Sequence, residues 1–542
     1  MRYALFIISV TGLLWGQLIP GEYHLNKSGR AAFPSYLVDS TSTEGLASNG
    51  VIDIRSVGDS LLFFGTARGL SMSPDRGATF RSYVADKVDL PEGGISALNN
   101  NGNVVAVAGI TDTVINGTGE IMGAGLAYSL DQGNTWAYKA QSIDNPGGQE
   151  LISSSFGGQV FQRLAVTTEI SNVTYDVSVS PGYIWTASWA GGVRRLDLAT
   201  GQWSAIPLPR DNDTTLACDS IPADYILNPR DPIANPEDSL DSGHHNHKGF
   251  SVMAYDTLVW VGTAAGLNKG IIDPTTGGIT WTHYKAQWGT RSISANWILA
   301  LHRQITTDGT ERIWASTMNT TDPSEHRAVC FTEDNGDTWY VTLLGERSDN
   351  ITSSGDVVYV ATENGLFKSL DGLNWARMEA AVDVFTGEEV WAEKVYGVLL
   401  DSRTQKLWVG TPDGLASTNN DGLTWEIERR FVPTGDEGEV RFYAYPNPFY
   451  LGEHNYRDGS GHVRFQYHIL STEINRTATV VIYDFAMNPV ITLAGRQHPY
   501  KGDFSQVWDG RNEVGYRVAN GVYYCRLAIG GEKYWTKVMV IK

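Results

Sequence analysis

Cysteine is scarce: the 542 residues hold three, Cys218, Cys330 and Cys525. An odd, sparse set is no disulfide framework and allows one bridge at most. No CxxC or Cys/His spacing suggests zinc. Charge is also scarce, at 19% of residues, and it is skewed, with 60 Asp and Glu against 41 Lys and Arg and a formal net charge of −19. A surface of that sign repels a phosphate backbone, which argues against nucleic acid as a partner. Beyond that, acidity speaks mainly to solubility. Past the first residues no apolar run is long enough to cross a bilayer as a helix. P-loops, dinucleotide fingerprints and catalytic triads are not recognisable.

Glycine (58), tyrosine (25) and tryptophan (17) are plentiful. Aromatics suit pleated, half-buried strands and glycine supplies the positive-φ positions of turns, so the mix favours an all-β chain. The start, "MRYALFIISVTGLLWGQ", places Arg2 before an apolar run from Ala4 to Trp15 and then small and polar residues. That layout reads as a secretory signal peptide over residues 1–17, which implies an exported protein or one held at the cell surface.

Internal repeats dominate residues 18–430. Clear copies are "LLFFGTARGLSMSPDRGATF" (61–80), "LVWVGTAAGLNKGIIDPTTGGITW" (258–281), "VVYVATENGLFKSLDGLNW" (357–375) and "KLWVGTPDGLASTNNDGLTW" (406–425). Weaker ones lie at 103–136, 183–203 and 312–339, making seven. An alternating apolar segment precedes most of them, such as "GVIDIRS" and "GFSVMAYD". Each unit then reads as four short strands, and four-stranded units in series predict a β-propeller, with seven blades the expected number. A sandwich or solenoid is the alternative. The Gly-Thr steps at 65–66, 262–263 and 410–411 fit strands that converge on a central channel.

Most units end on a turn of the pattern Ser/Thr-x-Asp-x-Gly-x-Thr-Trp. Its copies centre on Asp75 and Gly77; Asp131, Gly133 and Trp136; and Asp334, Gly336 and Trp339. The Asp371 copy is one residue short, and in the last copy Asn420 stands where aspartate is expected, before Gly422 and Trp425. An Asp or Asn oxygen accepts bonds from its own turn, Gly takes the positive φ, and Trp packs back on the neighbouring blade. Asparagine serves as such a cap but not as a catalytic carboxylate, so Asn420 favours a structural role. This turn resembles the Asp-box (BNR) repeat of sialidase-like propellers, and the "LWVGT…DGL" strands resemble the propeller repeats of two-component regulator sensors. The sialidase resemblance raises an enzyme, but that family's Arg-Ile-Pro motif is absent here. A glycoside hydrolase or lyase using carboxylates in the central funnel remains the alternative to a binding propeller.

Two polar inserts interrupt the repeats, around residues 141–173 and 209–248. Binding often sits on long loops of a rigid scaffold, and exposed Tyr225 and Trp288 would suit sugar stacking, although core packing is the commoner fate of such rings. In "DSGHHNHKGF", His244, His245 and His247, with Asp241, offer a site for a structural divalent cation; a solvated loop end is the plainer reading. No other cofactor is called for.

Residues 431–442 read as a linker, and the character changes from residue 443. "YPNPF" with Pro446, Asn447 and Pro448, then "VVIYDFAMNPVITL", then "WDGRNEVGYRVANGVYYCRL" with Trp508, Asp509, Gly510, Gly521 and Tyr523, and the ending "TKVMVIK" resemble the FlgD-like immunoglobulin-type domain that serves as the C-terminal sorting domain of the type IX secretion (Por) system. That resemblance implies a β-sandwich over 443–542 and outer-membrane secretion machinery as a partner. Trp508–Gly510 and Asn520–Gly521 read as hairpin turns. The ligand of the propeller is expected to be an extracellular glycan, peptide or protein.

Overall fold

A strand whose hydrogen-bonding edge is unmet must find a neighbour or a cover, and that need organises this chain. The computed structural model describes residues 42–542 apart from 84, 86, 116, 145–149, 232–242, 287–290 and 431–440. The proposed signal segment, Asp241, Trp288 and most of the expected linker lie outside the described residues. Among the described residues there is no α-helix, and seven antiparallel sheets follow one another along the chain. Each runs in sequence order through four strands, as in Val51–Val57, Leu61–Thr66, Gly69–Ser73 and Arg81–Tyr83. The first strands of the other six are Gly94–Asn101, Thr174–Ser180, Gly249–Tyr255, Trp297–Ile305, Ser348–Ser354 and Gly397–Leu400. Each first strand packs beside that of the next sheet, and the seventh packs beside the first, which closes a propeller-like ring.

Among the described residues neighbouring sheets share no strand ladder, so other contacts join them. Side chains reach across the gaps: Ala254 N–H donates to Ser178 Oγ (2.9 Å), Ser251 Oγ to Ile298 O (3.0 Å), and Leu400 N–H to Thr352 Oγ1 (3.1 Å). The glycine of each Gly-Thr step sits under the next sheet. A Cβ on Gly65 would lie 2.9 Å from Ile95, and one on Gly262 would lie 2.6 Å from the Ile298 carbonyl. The following threonine, or Thr362 after Ala361, caps its own turn, with Thr66, Thr263, Thr362 and Thr411 each donating to the carbonyl three residues on.

The Asp-bearing turns join third to fourth strands. Asp131 accepts from Thr135 N–H (2.8 Å), Thr135 Oγ1 (2.6 Å) and Ser129 Oγ (2.7 Å), bonds that hold its carboxyl down at about 2. Asn420 occupies the same place, its Oδ1 accepting Thr424 N–H (3.0 Å) and its Nδ2 donating to Thr424 Oγ1 (2.7 Å). The aromatic that follows wedges against the preceding sheet. Trp136 meets Phe63 and Tyr83 edge-on (6.3 and 5.7 Å), and Trp339 meets Trp260 (6.4 Å). Phe80 meets Trp408 of the seventh sheet (6.4 Å) and so carries the pattern across the closure. The turn glycine completes each wedge, because a Cβ on Gly133, Gly336 or Gly372 would strike Phe63, Tyr284 or Trp314 at 2.6–2.8 Å.

The described parts of both inserts carry strands. Leu151–Phe156 and Gln159–Leu164 form a hairpin from the first insert, and Ile226–Leu227 of the second adds to it in parallel. Thr215–Leu216 extends the outer edge of the fourth sheet. Tyr225, read as an exposed stacking ring, is instead buried: its Oη donates to Leu208 O (2.7 Å) and its ring meets Phe161 (6.0 Å).

The last hundred residues form two packed sheets. One holds Phe442–Tyr445, Val463–Ile469 and Gly502–Trp508. The other holds Phe449–Tyr450, Glu532–Ile541, Gly521–Ile529, Thr477–Tyr483 and Pro489–Thr492. Phe449, Phe465, Tyr467, Ile482, Trp508 and Cys525 lie in the core between them. Trp508–Gly510 is not the hairpin turn expected. Strand Gly502–Trp508 and the next strand, Gly521–Ile529, belong to different sheets, so residues 509–520 cross between layers. Trp508 Nε1 donates to Arg511 O (2.7 Å) and its ring meets Phe449 and Tyr523. Asn447 pins the final strand, donating to Lys537 O (2.8 Å) and accepting Met539 N–H (2.9 Å). The three cysteines are unpaired.

Gly336→Ala should test the wedge. Its φ of +103° and the 2.7 Å approach to Tyr284 combine left-handed strain with overpacking, so a loss of about 2–4 kcal/mol is expected in denaturant unfolding. A loss below about 0.5 kcal/mol, the range of an ordinary surface change, would show that the turn does not abut its neighbour.

Candidate functional site

The two ends of the ring differ. The Asp-bearing turns all lie at the end where third strands finish; first strands begin at the opposite end. Near that beginning, six of the seven first strands carry a β-bulge at one corresponding place, between Val51 and Asp53, Ile95 and Ala97, Thr174 and Asp176, Gly249 and Ser251, Ile298 and Ala300, and Ser348 and Asn350. In the seventh sheet Tyr396 N–H bonds Gly410 O, the residue that Gly397 already faces. A bulge re-aims the side chain it frees. The freed residues, Ile52, Ser96, Tyr175, Phe250, Leu299, Asp349 and Tyr396, form one ring position around the channel mouth.

That ring is lopsided. On the third to fifth sheets, Tyr175, Trp189, Phe250 and Trp297 form a tilted aromatic cup. Phe250 lies 5.9, 5.5 and 5.5 Å from Tyr175, Trp189 and Trp297, and the two indoles are 6.2 Å apart. Trp189, Trp297 and Tyr175 are half-buried. The Lys248 ammonium sits 4.6 Å over the Trp189 ring and pairs with Asp231.

The sixth and seventh sheets supply a charged arc instead. Arg347 bonds Asp349 (3.3 Å) and Glu363 (3.1 Å), and Lys394 lies 3.8 Å from Asp349 and 4.8 Å over the Tyr396 ring. Burial alone would raise the Asp349 carboxyl, but the charges of Arg347 and Lys394 outweigh it and hold it below the usual range.

One step further along the same strands, side chains close the channel into a floor. Asn350 Nδ2 donates to Asp53 Oδ1 (3.2 Å), linking the sixth sheet to the first past the seventh, and Arg55 bonds the same oxygen (2.6 Å). Asp176 accepts Val252 N–H (2.9 Å) and Val177 N–H (2.8 Å). Burial lifts Asp176 to about 7 against the pull of the Val252 bond and the Arg55 charge, with the nearby Asp53 charge adding to the rise. Burial also raises Asp53, against Arg55. His302, bonded to Ser353 Oγ (2.7 Å), is pushed down to about 4 by burial and by Arg55. The mouth is therefore a cup of side chains, aromatic on one side and ionic on the other, above a layer of polar bridges between sheets.

The histidine run does not converge on an ion. His247 is buried, with Nδ1 accepting Asn228 N–H (2.9 Å) and Nε2 3.1 Å from Leu208 O, and burial pushes it down to about 3. His245 points to Asp231 and Lys248 (3.9 and 3.4 Å), and His244 packs edge-on against His247. Among the described residues no group of three His, Cys, Asp or Glu side chains is placed to hold a metal. The cup escaped the sequence reading because its residues are scattered over 200 positions; the recurring start of each first strand was the available signal, once the bulge there is known.

No family model and no curated protein matches the chain. Several solved structures overlay on it weakly. YCF48 from Cyanidioschyzon merolae does so at 16% identity over 69% of this chain and 97% of its own, with a TM-score of 0.38. PorZ, a surface component of the type IX secretion system of Porphyromonas gingivalis, does so at 15% identity over 91% and 75%, with a TM-score of 0.27. The extracellular domain of the hybrid two-component system BT4673 from B. thetaiotaomicron does so at 10% identity over 97% and 94%, with a TM-score of 0.26. Overlays this loose leave the chemistry of the cup to its own residues. Among the described residues no helix is long and apolar enough to cross a membrane.

Asp176 gives the floor a pH signature. The unfolded carboxyl releases its proton near 3.8 while the folded one keeps it to about 7. The folded protein thus binds more protons in that window, and stability falls as pH rises through it, by up to about 1.4 kcal/mol per unit. Asp176→Asn removes the charge and leaves the Asp53–Arg55 pair intact. Its amide has one accepting oxygen for the two N–H groups that Asp176 serves through separate oxygens, which lowers its melting temperature by an amount independent of pH. Against that offset the variant should gain on wild type between pH 4 and pH 8, and a difference constant over that range would contradict a raised Asp176.

Proposed function

We propose that the chain is a secreted or cell-surface binding protein: a seven-bladed β-propeller followed by an immunoglobulin-like sandwich, with the cup at the channel mouth as the ligand site. The aromatic wall carries this reading. Four rings from three different sheets meet at the surface, three of them half-buried, where a monomer gains nothing by leaving them and a ligand gains apolar area and ring contacts. The ionic arc opposite adds orientation for a polar group. A glycan or an extended peptide fits both walls, and the Asp-bearing turns serve as scaffolding on the far side. The signal segment and the sorting resemblance of the tail support export, with the sandwich engaging outer-membrane secretion machinery.

A second reading follows from one observation. Asp176, raised to about 7 beside Asp53, has the protonation behaviour of a general acid. Against it, both carboxylates are committed to structural bonds across the floor. In this reading the protein cleaves a glycan, and Asp176→Asn abolishes turnover without loss of binding.

Glycan and peptide arrays, scored for binding and for turnover, test both readings. Trp189→Ala and Trp297→Ala should each weaken binding about tenfold or more with an unchanged circular dichroism spectrum; unaltered affinity in both would reject the cup. Removing residues 443–542 should leave the protein undelivered to the cell surface, and normal delivery would reject a sorting role for the tail.

A further inference from the structure

The seventh sheet takes its four strands from residues 397–428 and the first takes its five from residues 42–83, so among the described residues no strand is exchanged to lock the circle. Beside the Phe80–Trp408 wedge and the exposed Arg403–Asp59 pair (2.7 Å), one buried residue clamps the join. Asn49 Oδ1 accepts Arg430 N–H (2.6 Å), its Nδ2 donates to Arg430 O (3.1 Å), and its carbonyl accepts Gly414 N–H (2.9 Å).

The chain neighbours of those two partners, Asp413 and Arg429, belong to a buried ionic quartet that reaches into the sandwich. Asp413 Oδ2 takes Arg429 (3.1 Å) and Arg464 (2.6 Å), and Glu388 Oε2 takes the same two guanidiniums (2.8 and 3.0 Å). Asp413, Arg429 and Arg464 are at most 5% exposed. The rest of the contact is also polar. Ser505 Oγ bonds Glu388 (3.0 Å), Arg457 bonds Glu389 (2.5 Å), and Trp391 lies between the His462 ring (4.7 Å) and the Arg457 guanidinium (5.0 Å). Arg464 and Ser505 project from the sheet face opposite the sandwich core, the face that would otherwise meet water.

We infer that the sandwich is the clasp of the propeller ring: by completing the quartet through Arg464 it fixes Asp413 and Arg429, and so holds Gly414 and Arg430 on Asn49. Alone, the propeller side keeps two carboxylates for one guanidinium, an imbalance that opens the join. Because the docking surface is charged and polar rather than apolar, it resembles a contact between separable domains more than a shared core, and the clasp is releasable.

Hydrogen exchange of the full-length protein tests this. Arg464→Met should speed exchange about tenfold or more in Leu46–Val57 and Leu407–Glu428, while Gly249–Met318 stays at the wild-type rate. Asn49→Ala should give the same map, and the double variant should exchange no faster at the join than Asn49→Ala alone, since both act on one contact. An increase confined to residues 441–542, one spread evenly over the seven sheets, or additive effects would overturn the proposal. Should Arg464→Met fail to fold, Ser505→Ala, which loosens Glu388 and keeps every charge, is read in the same way.

Discussion

Everything in this molecule depends on how one sheet rests on the next, because no backbone ladder passes between them. Hydrogen bonds within a four-stranded sheet satisfy its strands but leave both faces to be covered. The chain meets this with one device used repeatedly. A glycine clears the space, an aromatic of the preceding sheet fills it, and a hydroxyl or carboxamide ties the inner strands. Removing the side chain at Gly133 or Gly336 is what allows Phe63 or Tyr284 to lie flush, so the smallest residues carry the tightest packing.

What was legible in the sequence follows from this. The Gly-Thr steps, the Asp-bearing turns and their aromatics are local patterns set by local geometry, and counting them led to an all-β repeat protein. Asn420 was readable as a cap because capping needs only an oxygen at one position. The features that escaped are those in which distant segments meet. Nothing in "LISSSF" announces that it will share a sheet with Ile226 and Leu227. Tyr225 looked exposed because its surroundings in sequence are polar, yet its neighbours in space are Phe161 and the Leu208 backbone. The turn after Trp508 was misjudged for a related reason: the dipeptide chemistry of a tight turn is the same whether the chain returns to its own sheet or crosses to another.

The cup was illegible for a subtler reason. Each bulge adds one residue to a strand whose alternation otherwise looks regular, so the position that is freed carries no compositional mark. Tyr175, Phe250 and Asp349 read as ordinary strand residues. Their shared role emerges only when the registers are compared sheet by sheet, and it is the difference among them, rings on one side and ions on the other, that gives the mouth a direction.

The clamp at Asn49 bears on the order of events during synthesis. Its partner Arg430 lies 381 residues further on, and the first wedge, Phe80, likewise waits for Trp408. A chain emerging from its N-terminus can pack its second sheet on its first as soon as both are present, but the first sheet's other face stays bare until the last repeat arrives. Contacts of such long span form late. The nascent protein therefore spends most of its emergence as an open arc whose first sheet keeps one face uncovered until the circle shuts.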